Sequence, residues 1–167
     1  LSLAGVSAVY HPSSAIAANI GARHISFRNA HTGESFSGIY RVGHKYLPGA
    51  FEQINNVLRD FRTGDVFPID PRIIDIIHAV REKAEVDTPY DIYSGYRSPE
   101  TNAMLRRAST GVAKKSLHMS GQAIDLSLPR VHLSSLREIA VDFEFGGVGY
   151  YPSSGFIHMD TGRIRTW

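Results

Sequence analysis

The stretch SLHMSGQAIDLSL, residues 116–128, carries the period-two pattern of a half-buried β-strand. The apolar side chains recur at alternate positions, at Ile124, Leu126 and Leu128. Because successive side chains of a strand point to opposite faces of a sheet, Asp125 is predicted to project from the face opposite this apolar row. Gly121 permits a turn before the strand, and such a turn allows His118 to lie over the same face as Asp125. The stretch therefore predicts a sheet with one apolar face and one polar face.

A second strand with the same pattern is predicted for FIHMD, residues 156–160. Ile157 and Met159 are predicted to face the core. His158 and Asp160 then project together from the opposite face, where they are neighbours.

Four helices are predicted from apolar residues at helical spacing: PGAFEQINNVLRDF (48–61), DPRIIDIIHAVREKA (70–84), SPETNAMLRRAS (98–109) and SSLREIAVDF (134–143). Asp70 and Ser98 each precede a proline, which is typical of a capping residue followed by the first residue of a helix. In the first of these helices, the apolar face is predicted to extend to Phe61.

A β-hairpin is predicted for HISFRNAHTGESFSGIY, residues 24–40, with its turn in HTGES. The apolar positions assigned to its strands are Ile25, Phe27, Phe36 and Ile39. The stretch YDIYSGYRS, residues 90–98, predicts a further strand that ends in a turn at Gly95. The mixture of elements predicts an α+β fold, with helices packed on a mainly antiparallel sheet.

Composition narrows the classes of protein and site. The chain has 167 residues, of which 43% are hydrophobic and 20% charged, as expected for one domain with a single core. A formal net charge of +2 is too small to indicate a nucleic-acid partner. The chain contains no cysteine, which excludes a disulfide framework, a thiolate metal site and a cysteine nucleophile. Any metal site must therefore use histidine, aspartate or glutamate.

His118, Asp125 and His158 form a candidate site for one metal ion. Two imidazoles and one carboxylate leave the fourth position of a tetrahedral zinc site open, which distinguishes catalytic zinc sites from closed structural ones. Zinc is the expected ion, because the set lacks sulfur and suits imidazole and carboxylate coordination. Each half of the pattern also has a simpler interpretation. A histidine and an aspartate seven residues apart occur by chance, and HMD is compatible with an edge strand that forms a surface salt bridge.

Three motifs together resemble those of the zinc D-alanyl-D-alanine metallopeptidases: SGYRS, SLHMSGQAID and FIHMD, in this order. The wider pattern is similar to the murein endopeptidase K-like members of that group, and it extends from about Ile25 to Trp167. It includes HTGES, IDPRIIDIIHAVR, SPETNAMLRRAS, GGVGYYP and HMDTGRIRTW.

The resemblance implies a fold like that of the hedgehog and D-Ala-D-Ala metallopeptidase proteins. It implies a zinc-dependent endopeptidase that hydrolyses peptide cross-links of peptidoglycan. His118, Asp125 and His158 would then hold one Zn²⁺ ion, and Arg97 of SGYRS would contact the substrate near the scissile bond. Two alternatives use the same fold: a D-alanyl-D-alanine carboxypeptidase, and a non-catalytic zinc-containing module that binds the cell wall.

Asp160 is the candidate general base, because it lies two residues beyond His158 on the same strand face. Several related peptidases place the catalytic carboxylate three residues before the final histidine, where this chain has Gly155. The alternative role of Asp160 is to orient a metal ligand.

Arg97, Ser116 and Tyr150 are the candidate substrate-binding residues. A long cation that follows a turn at a strand end is typical of a binding site, although Arg97 could instead pair with a buried carboxylate. Ser116 either forms hydrogen bonds near the site or shapes the turn before His118. Tyr150 of GGVGYYP either lines a groove for the substrate or packs within a turn.

Residues 1–20 are predicted to be the remnant of an export signal, with its basic segment expected upstream of Leu1, and residues 21–167 to form a single zinc peptidase domain. A frayed helix of the mature domain is the alternative for the first 20 residues. The apolar run is too short for stable membrane insertion. The expected location is the periplasm, with the twin-arginine route as one way of export. The expected partners are peptidoglycan peptide stems rather than nucleic acid, and a monomer is expected.

Overall fold

Eight strands form one sheet in the computed structural model, which describes residues 21–167. The strands are β1 (Ala22–Asn29), β2 (Ser35–Val42), β3 (Lys45–Tyr46), β4 (Tyr90–Ser94), β5 (Ala123–Ser127), β6 (Gly147–Tyr151), β7 (Phe156–Asp160) and β8 (Arg165–Thr166). The helices are α1 (Pro48–Val57), α2 (Pro71–Lys83), α3 (Pro99–Ala108) and α4 (Leu133–Asp142), with short 3-10 helices at Leu117–Ser120 and Pro152–Ser154.

The strand order is β3-β2-β1-β4-β5-β7-β6-β8. Neighbouring strands are antiparallel except for β1 with β4 and β6 with β8, which run parallel. The predicted α+β fold with a mainly antiparallel sheet is therefore confirmed. Strand β8 has only two residues, and its parallel pairing with β6 brings the last described segment onto the sheet.

One apolar core joins the sheet to helices α1, α2 and α4. Its members on β5 and β7 are the predicted ones, Ile124, Leu126, Ile157 and Met159, each at most 2% exposed. The alternate positions of these two strands carry Asp125, His158 and Asp160. The apolar and polar faces predicted from the sequence are thus both present.

The predicted helix caps are confirmed. A side-chain oxygen of Asp70 accepts a hydrogen bond from the N–H of Arg72 at 2.9 Å, and Ser98 accepts one from the N–H of Thr101 at 3.1 Å. Each bond satisfies one of the backbone donors that the first turn of a helix leaves free. Helix α3 therefore begins at Pro99, directly after its cap Ser98, which itself follows Arg97.

Helix α1 is one turn shorter than predicted, because it ends at Val57 rather than Phe61. The chain leaves the helix at Leu58, and Asp60 then accepts hydrogen bonds from the N–H groups of Ser98 and Arg62. This tertiary anchor overrides the local helical pattern. The Phe61 ring stacks on His31 instead, at 4.1 Å between ring centroids.

The hairpin of β1 and β2 is confirmed, but its apolar position Ile39 does not share the inward face of β2 with Phe36. Ile39 is 38% exposed, whereas Tyr40 is fully buried. Phe36 and Tyr40 lie an even number of residues apart and share the inward face of β2, so the pleat directs Ile39 outward.

The predicted export signal in residues 1–20 lies outside the described residues. Within residues 21–167, no helix combines the length and the apolar character needed to cross a bilayer.

Gly121 closes the turn between His118 and β5. Its φ of +65° lies in the left-handed region, and a Cβ atom there would clash with the backbone carbonyl of Pro68. The carbonyl of Gly121 also accepts the N–H of Asp70 at 2.9 Å. The turn is therefore packed directly against the segment before α2.

Gly121→Ala is expected to lower the free energy of unfolding by about 3 kcal/mol, the sum of left-handed strain and a clash that neighbours cannot relieve. Gly33→Ala is the matched control. Gly33 has a similar φ of +76°, but no heavy atom lies within 4 Å of the position that its Cβ would occupy. Its loss is expected to be about 1 kcal/mol, from strain alone. Denaturant unfolding of both variants measures the difference, and equal losses would contradict the clash at Gly121.

Candidate metal centre

The candidate site lies along one row that crosses four strands. Ser94 of β4 pairs with Asp125 of β5, Asp125 with His158 of β7, and His158 with Gly149 of β6. We call Ser94, Asp125, His158 and Gly149 the cross-strand row. Three intervals between strands make it about 14 Å long. The row therefore positions two of the three predicted ligands on adjacent, hydrogen-bonded strands.

His118 reaches this row from the 3-10 helix at Leu117–Ser120. Its ring is almost fully buried, and Nδ1 lies 2.7 Å from the carbonyl oxygen of Gly95. Because a carbonyl can only accept, Nδ1 carries the proton and Nε2 is left with its lone pair. Burial lowers the pKa of His118, which favours this neutral ring.

His158 has the complementary arrangement. Its Nε2 lies 2.9 Å from Oδ2 of Asp160, so this nitrogen donates, and Nδ1 faces Asp125 and His118. Burial lowers the pKa of His158, but its hydrogen bonds to Asp125 and Asp160 outweigh that effect and raise the pKa to about 9. A cation at Nδ1 is therefore favoured in this setting, whether it is a proton or a metal ion.

Asp125 completes the set from β5. It is buried, with Oδ1 2.9 Å from Nδ1 of His158 and 3.2 Å from Nε2 of His118. Burial alone would raise the pKa of Asp125, but the two imidazoles hold it well below its usual range. The carboxylate is therefore ionised, as a metal ligand must be.

The three ligand atoms fit a divalent metal ion. Nε2 of His118, Nδ1 of His158 and Oδ1 of Asp125 lie 2.9 to 3.2 Å from one another. Ligand atoms about 2.0–2.1 Å from a tetrahedral zinc ion would be about 3.3 Å apart. Gly95 and Asp160 accept the protons of the outer ring nitrogens, so the lone pairs of Nε2 of His118 and Nδ1 of His158 can point at each other. A metal ion between the two nitrogens would bind both lone pairs. These are the three residues in the described part of the chain that group as candidate metal ligands.

The carboxylate of Asp160 accepts more hydrogen bonds than is expected for a general base. Its side chain is fully buried and contacts His158, the N–H groups of Gly147 and Gly162, and the guanidinium of Arg165. Burial alone would raise the pKa of Asp160, but these donors hold it well below its usual range. A carboxylate of such low basicity accepts a proton poorly. Of the two predicted roles, the geometry favours orientation of His158 over general base catalysis.

Arg97 lies beside Asp125 and lines the cavity over the candidate ligands. It is 9% exposed, with one terminal nitrogen 3.5 Å from Oδ2 of Asp125 and 3.3 Å from Oγ of Ser94. Both contacts are long, and Nε has no acceptor among the described residues. Burial lowers the pKa of Arg97. A guanidinium that lines the cavity and is held only by long contacts suits an anionic or carbonyl group of a substrate.

A cavity of about 620 Å³ opens over these residues. Arg97 and Ser116 line it, as do the three candidate metal ligands, Lys115 and Trp167. The carbonyl of Ser116 accepts the N–H of Met119, so this residue also shapes the turn before His118.

Tyr150 does not line this cavity, contrary to its predicted role. It pairs with Ile157 on the core face of the sheet, and the guanidinium of Arg137 lies 5.8 Å from its ring centroid. Tyr151 pairs with Phe156 on the polar face and lines the cavity instead. The alternation of side chains along β6 explains the exchange.

Two residues of the site were missed from the sequence, Arg165 and Trp167. Arg165 begins β8 and Trp167 directly follows this strand. Because the two residues are two positions apart, both side chains reach the polar face, where Gly147 and Gly149 of β6 leave room for them. The spacing R-x-W opposite G-x-G is the signal that could have found them.

An open centre of two histidines and one carboxylate, beside a substrate-sized cavity on the polar face of an α+β sheet, is the arrangement of a metallopeptidase. The sequence comparisons agree with this class and narrow it. Residues 17–167 match the Peptidase M15_2 family model, described as peptidoglycan L,D-endopeptidase MepK. The chain belongs to this family.

Two curated relatives illustrate the similarity. The chain is 40% identical to peptidoglycan L,D-endopeptidase MepK of Escherichia coli strain K12 over 145 residues, which cover 87% of this chain and 80% of the relative. It is 40% identical to a probable peptidoglycan L,D-endopeptidase MepK of Haemophilus influenzae over 146 residues, covering 87% of this chain and 78% of the relative. The family predicted from the sequence motifs is confirmed.

Proposed function

We propose that the protein is a zinc-dependent endopeptidase that hydrolyses peptide cross-links of peptidoglycan. The observation that carries the proposal is the convergence of His118, Asp125 and His158 in a cavity lined by Arg97, in a chain of the MepK family. Membership of this family supports an endopeptidase over the carboxypeptidase considered from the sequence.

Zinc is the proposed ion because the ligand set contains two imidazoles, one carboxylate and no sulfur. The bound ion would supply Lewis acid chemistry that polarises the scissile carbonyl and activates water. The protein supplies the rest. Gly95 and Asp160 hold the two imidazoles in the tautomers that coordination requires. The Arg97 guanidinium, which lines the cavity, would bind the carbonyl oxygen or a neighbouring carboxylate.

The cavity also suits the charge of the substrate. Peptidoglycan stems carry several carboxylates, and the cations Arg97 and Lys115 line the cavity, whereas the guanidinium of Arg165 is paired with Asp160. The two acidic residues that line the cavity, Asp125 and Asp160, form ion pairs with histidine or arginine. The exposed donors therefore favour an anionic peptide.

The bond that we propose is cleaved is the 3-3 cross-link. The relatives are named as L,D-endopeptidases, and an L,D-bond joins the carbonyl of an L-centre to the amine of a D-centre. A 3-3 cross-link between two diamino acids has this stereochemistry. A 4-3 cross-link begins at the carbonyl of D-alanine and is a D,D-bond.

Zinc-loaded protein is expected to cleave a 3-3 cross-linked muropeptide dimer about tenfold faster than a 4-3 dimer or more. The reason is that the stereochemistry at the scissile bond decides how the carbonyl and its neighbouring substituents are oriented in the cavity. Mass analysis of the products measures both rates and identifies the bond. Preferential cleavage of the 4-3 dimer would reject the 3-3 assignment. Binding of either dimer without any product would identify a wall-binding module instead.

We further propose that the protein acts in the periplasm as a monomer. The proposed substrate lies outside the inner membrane, which supports this location. The predicted export signal, with the twin-arginine route as one option, supports it from the sequence alone. Fractionation of cells that express the full gene tests the location, and a product confined to the cytoplasm would reject it.

A further inference from the structure

Trp167 occupies the end of the cross-strand row opposite Arg97. Arg97 contacts Ser94 at one end, and the Trp167 indole covers Gly149 at the other. A Cβ atom at Gly149 would lie 2.7 Å from Cε2 of the indole, so only glycine leaves room for the ring. The indole centroid is 5.2 Å from that of His158. The metal ligands thus lie between a cation and an aromatic ring.

The indole is held in place by contacts on several sides. Its Nε1–H donates to the hydroxyl of Tyr151 at 2.8 Å, and the guanidinium of Arg165 lies 4.8 Å from the ring centroid. The backbone of Trp167 bonds to β6 on both sides, donating to Val148 and accepting from Tyr150. The orientation of the ring is therefore set before any ligand arrives.

Core packing does not account for this residue. Trp167 is 47% exposed and lies outside the hydrophobic core, although tryptophan is usually a well-buried residue. The rings of Tyr151 and Phe156 continue the apolar surface along the cavity wall, 5.0 Å apart. An exposed, oriented aromatic surface next to a reaction centre is suited to binding.

We propose that Trp167 is a positioning residue, on which the uncharged side of the stem peptide packs while Arg97 takes a polar group on the other side of the metal. The inference rests on the proposed function. The chemistry distinguishes the two ends of the row. The face of an indole carries negative charge density and favours methyl groups and amide planes, and the Arg165 guanidinium beside it is paired with Asp160. Carboxylates are instead drawn toward Arg97 at the other end. Trp167 thereby sets which side of the scissile bond enters which half of the cavity.

The chain offers a direct probe, because Trp167 is the sole tryptophan in the 167 residues. We expect its fluorescence to change, with saturation, when zinc-loaded protein is mixed in a stopped-flow instrument with a sugar-free 3-3 cross-linked peptide dimer, before turnover. A response to sugar-bearing dimers alone would overturn the assignment to the peptide. No response to either dimer would overturn the proposal.

Kinetics of three variants test positioning rather than folding. Trp167→Ala is expected to raise KM about 3- to 10-fold with kcat nearly unchanged, the scale of one aromatic contact, and Trp167→Phe to restore most of that loss. Gly149→Ala leaves the indole intact but displaces it, and should raise KM similarly. Matched controls are Phe145→Ala, an exposed aromatic outside the cavity, and Gly49→Ala, whose Cβ meets no heavy atom within 4 Å.

The outcomes separate this inference from the proposed function. Wild-type hydrolysis together with unchanged KM in Trp167→Ala and Gly149→Ala would overturn the role of Trp167 and leave the function standing. If wild-type protein released no product, the function would fail, and the fluorescence titration with the same dimers would still decide whether Trp167 contacts the peptide. If Phe145→Ala and Gly49→Ala raised KM as much as Trp167→Ala and Gly149→Ala do, the effect would be a general one on folding, and the proposal would also be overturned.

Discussion

Replacement of Asp125 or His118 by alanine is expected to abolish metal binding and hydrolysis together. Each residue supplies one of three converging atoms, and an open site with two protein ligands binds a metal ion weakly. Loss of the ion removes Lewis acid stabilisation of about 4 kcal/mol or more, which corresponds to about a thousandfold in rate or more. Metal analysis of the purified variants and product release from cross-linked dimers measure the two effects.

His78→Ala is the matched control for these variants. His78 is a partly exposed histidine of α2 whose Nδ1 contacts the carbonyl of His24, and it does not line the cavity of the metal centre. This variant is expected to keep a full equivalent of metal and wild-type activity. Full metal occupancy in His118→Ala, Asp125→Ala or His158→Ala would contradict the assignment of these three residues as the metal ligands.

Asp160→Asn is expected to weaken metal binding about 10- to 100-fold, with activity falling in parallel at limiting metal. The carboxylate accepts the proton of Nε2 of His158, whereas the amide group can present N–H to that nitrogen and favour the other tautomer. The lone pair of Nδ1 would then be lost to the metal. Activity measured across a metal titration detects the shift, and saturating metal should restore most of the rate.

The same variant decides between the two roles of Asp160. A general base would show normal metal affinity and a kcat about a hundredfold lower that no metal concentration restores. Normal affinity with normal turnover would exclude both roles. Thermal unfolding of Asp160→Asn provides the control for folding, since the buried carboxylate also anchors Gly147, Gly162 and Arg165.

The two strands of the site were predictable because apolar and polar residues alternate along each of them. Asp125 lies between Ile124 and Leu126, and His158 lies between Ile157 and Met159. Because successive side chains of a strand point to opposite faces, both ligands are directed to the polar face. His118 needed one further inference, the turn at Gly121, and the positive φ there agrees with it. The metal centre was therefore accessible from local pattern.

Other features depend on contacts that no local pattern contains. The end of α1 is set by Asp60, whose partner Ser98 lies 38 residues away. The tautomer of His118 depends on the carbonyl of Gly95, which approaches only after β4 and the 3-10 helix have packed together. Trp167 was overlooked because a two-residue strand gives too short a pattern to assign a face.

The anchoring of both imidazoles has a consequence for how this protein is supplied with its ion. Gly95 holds His118, Asp160 holds His158, and the sheet holds Asp125, so each ligand has a fixed position that owes nothing to the metal. We therefore expect the site to be largely formed before the ion binds, unlike in domains that fold only around their zinc. On this expectation, the supply of the ion rather than the synthesis of the protein would set how much of it is active.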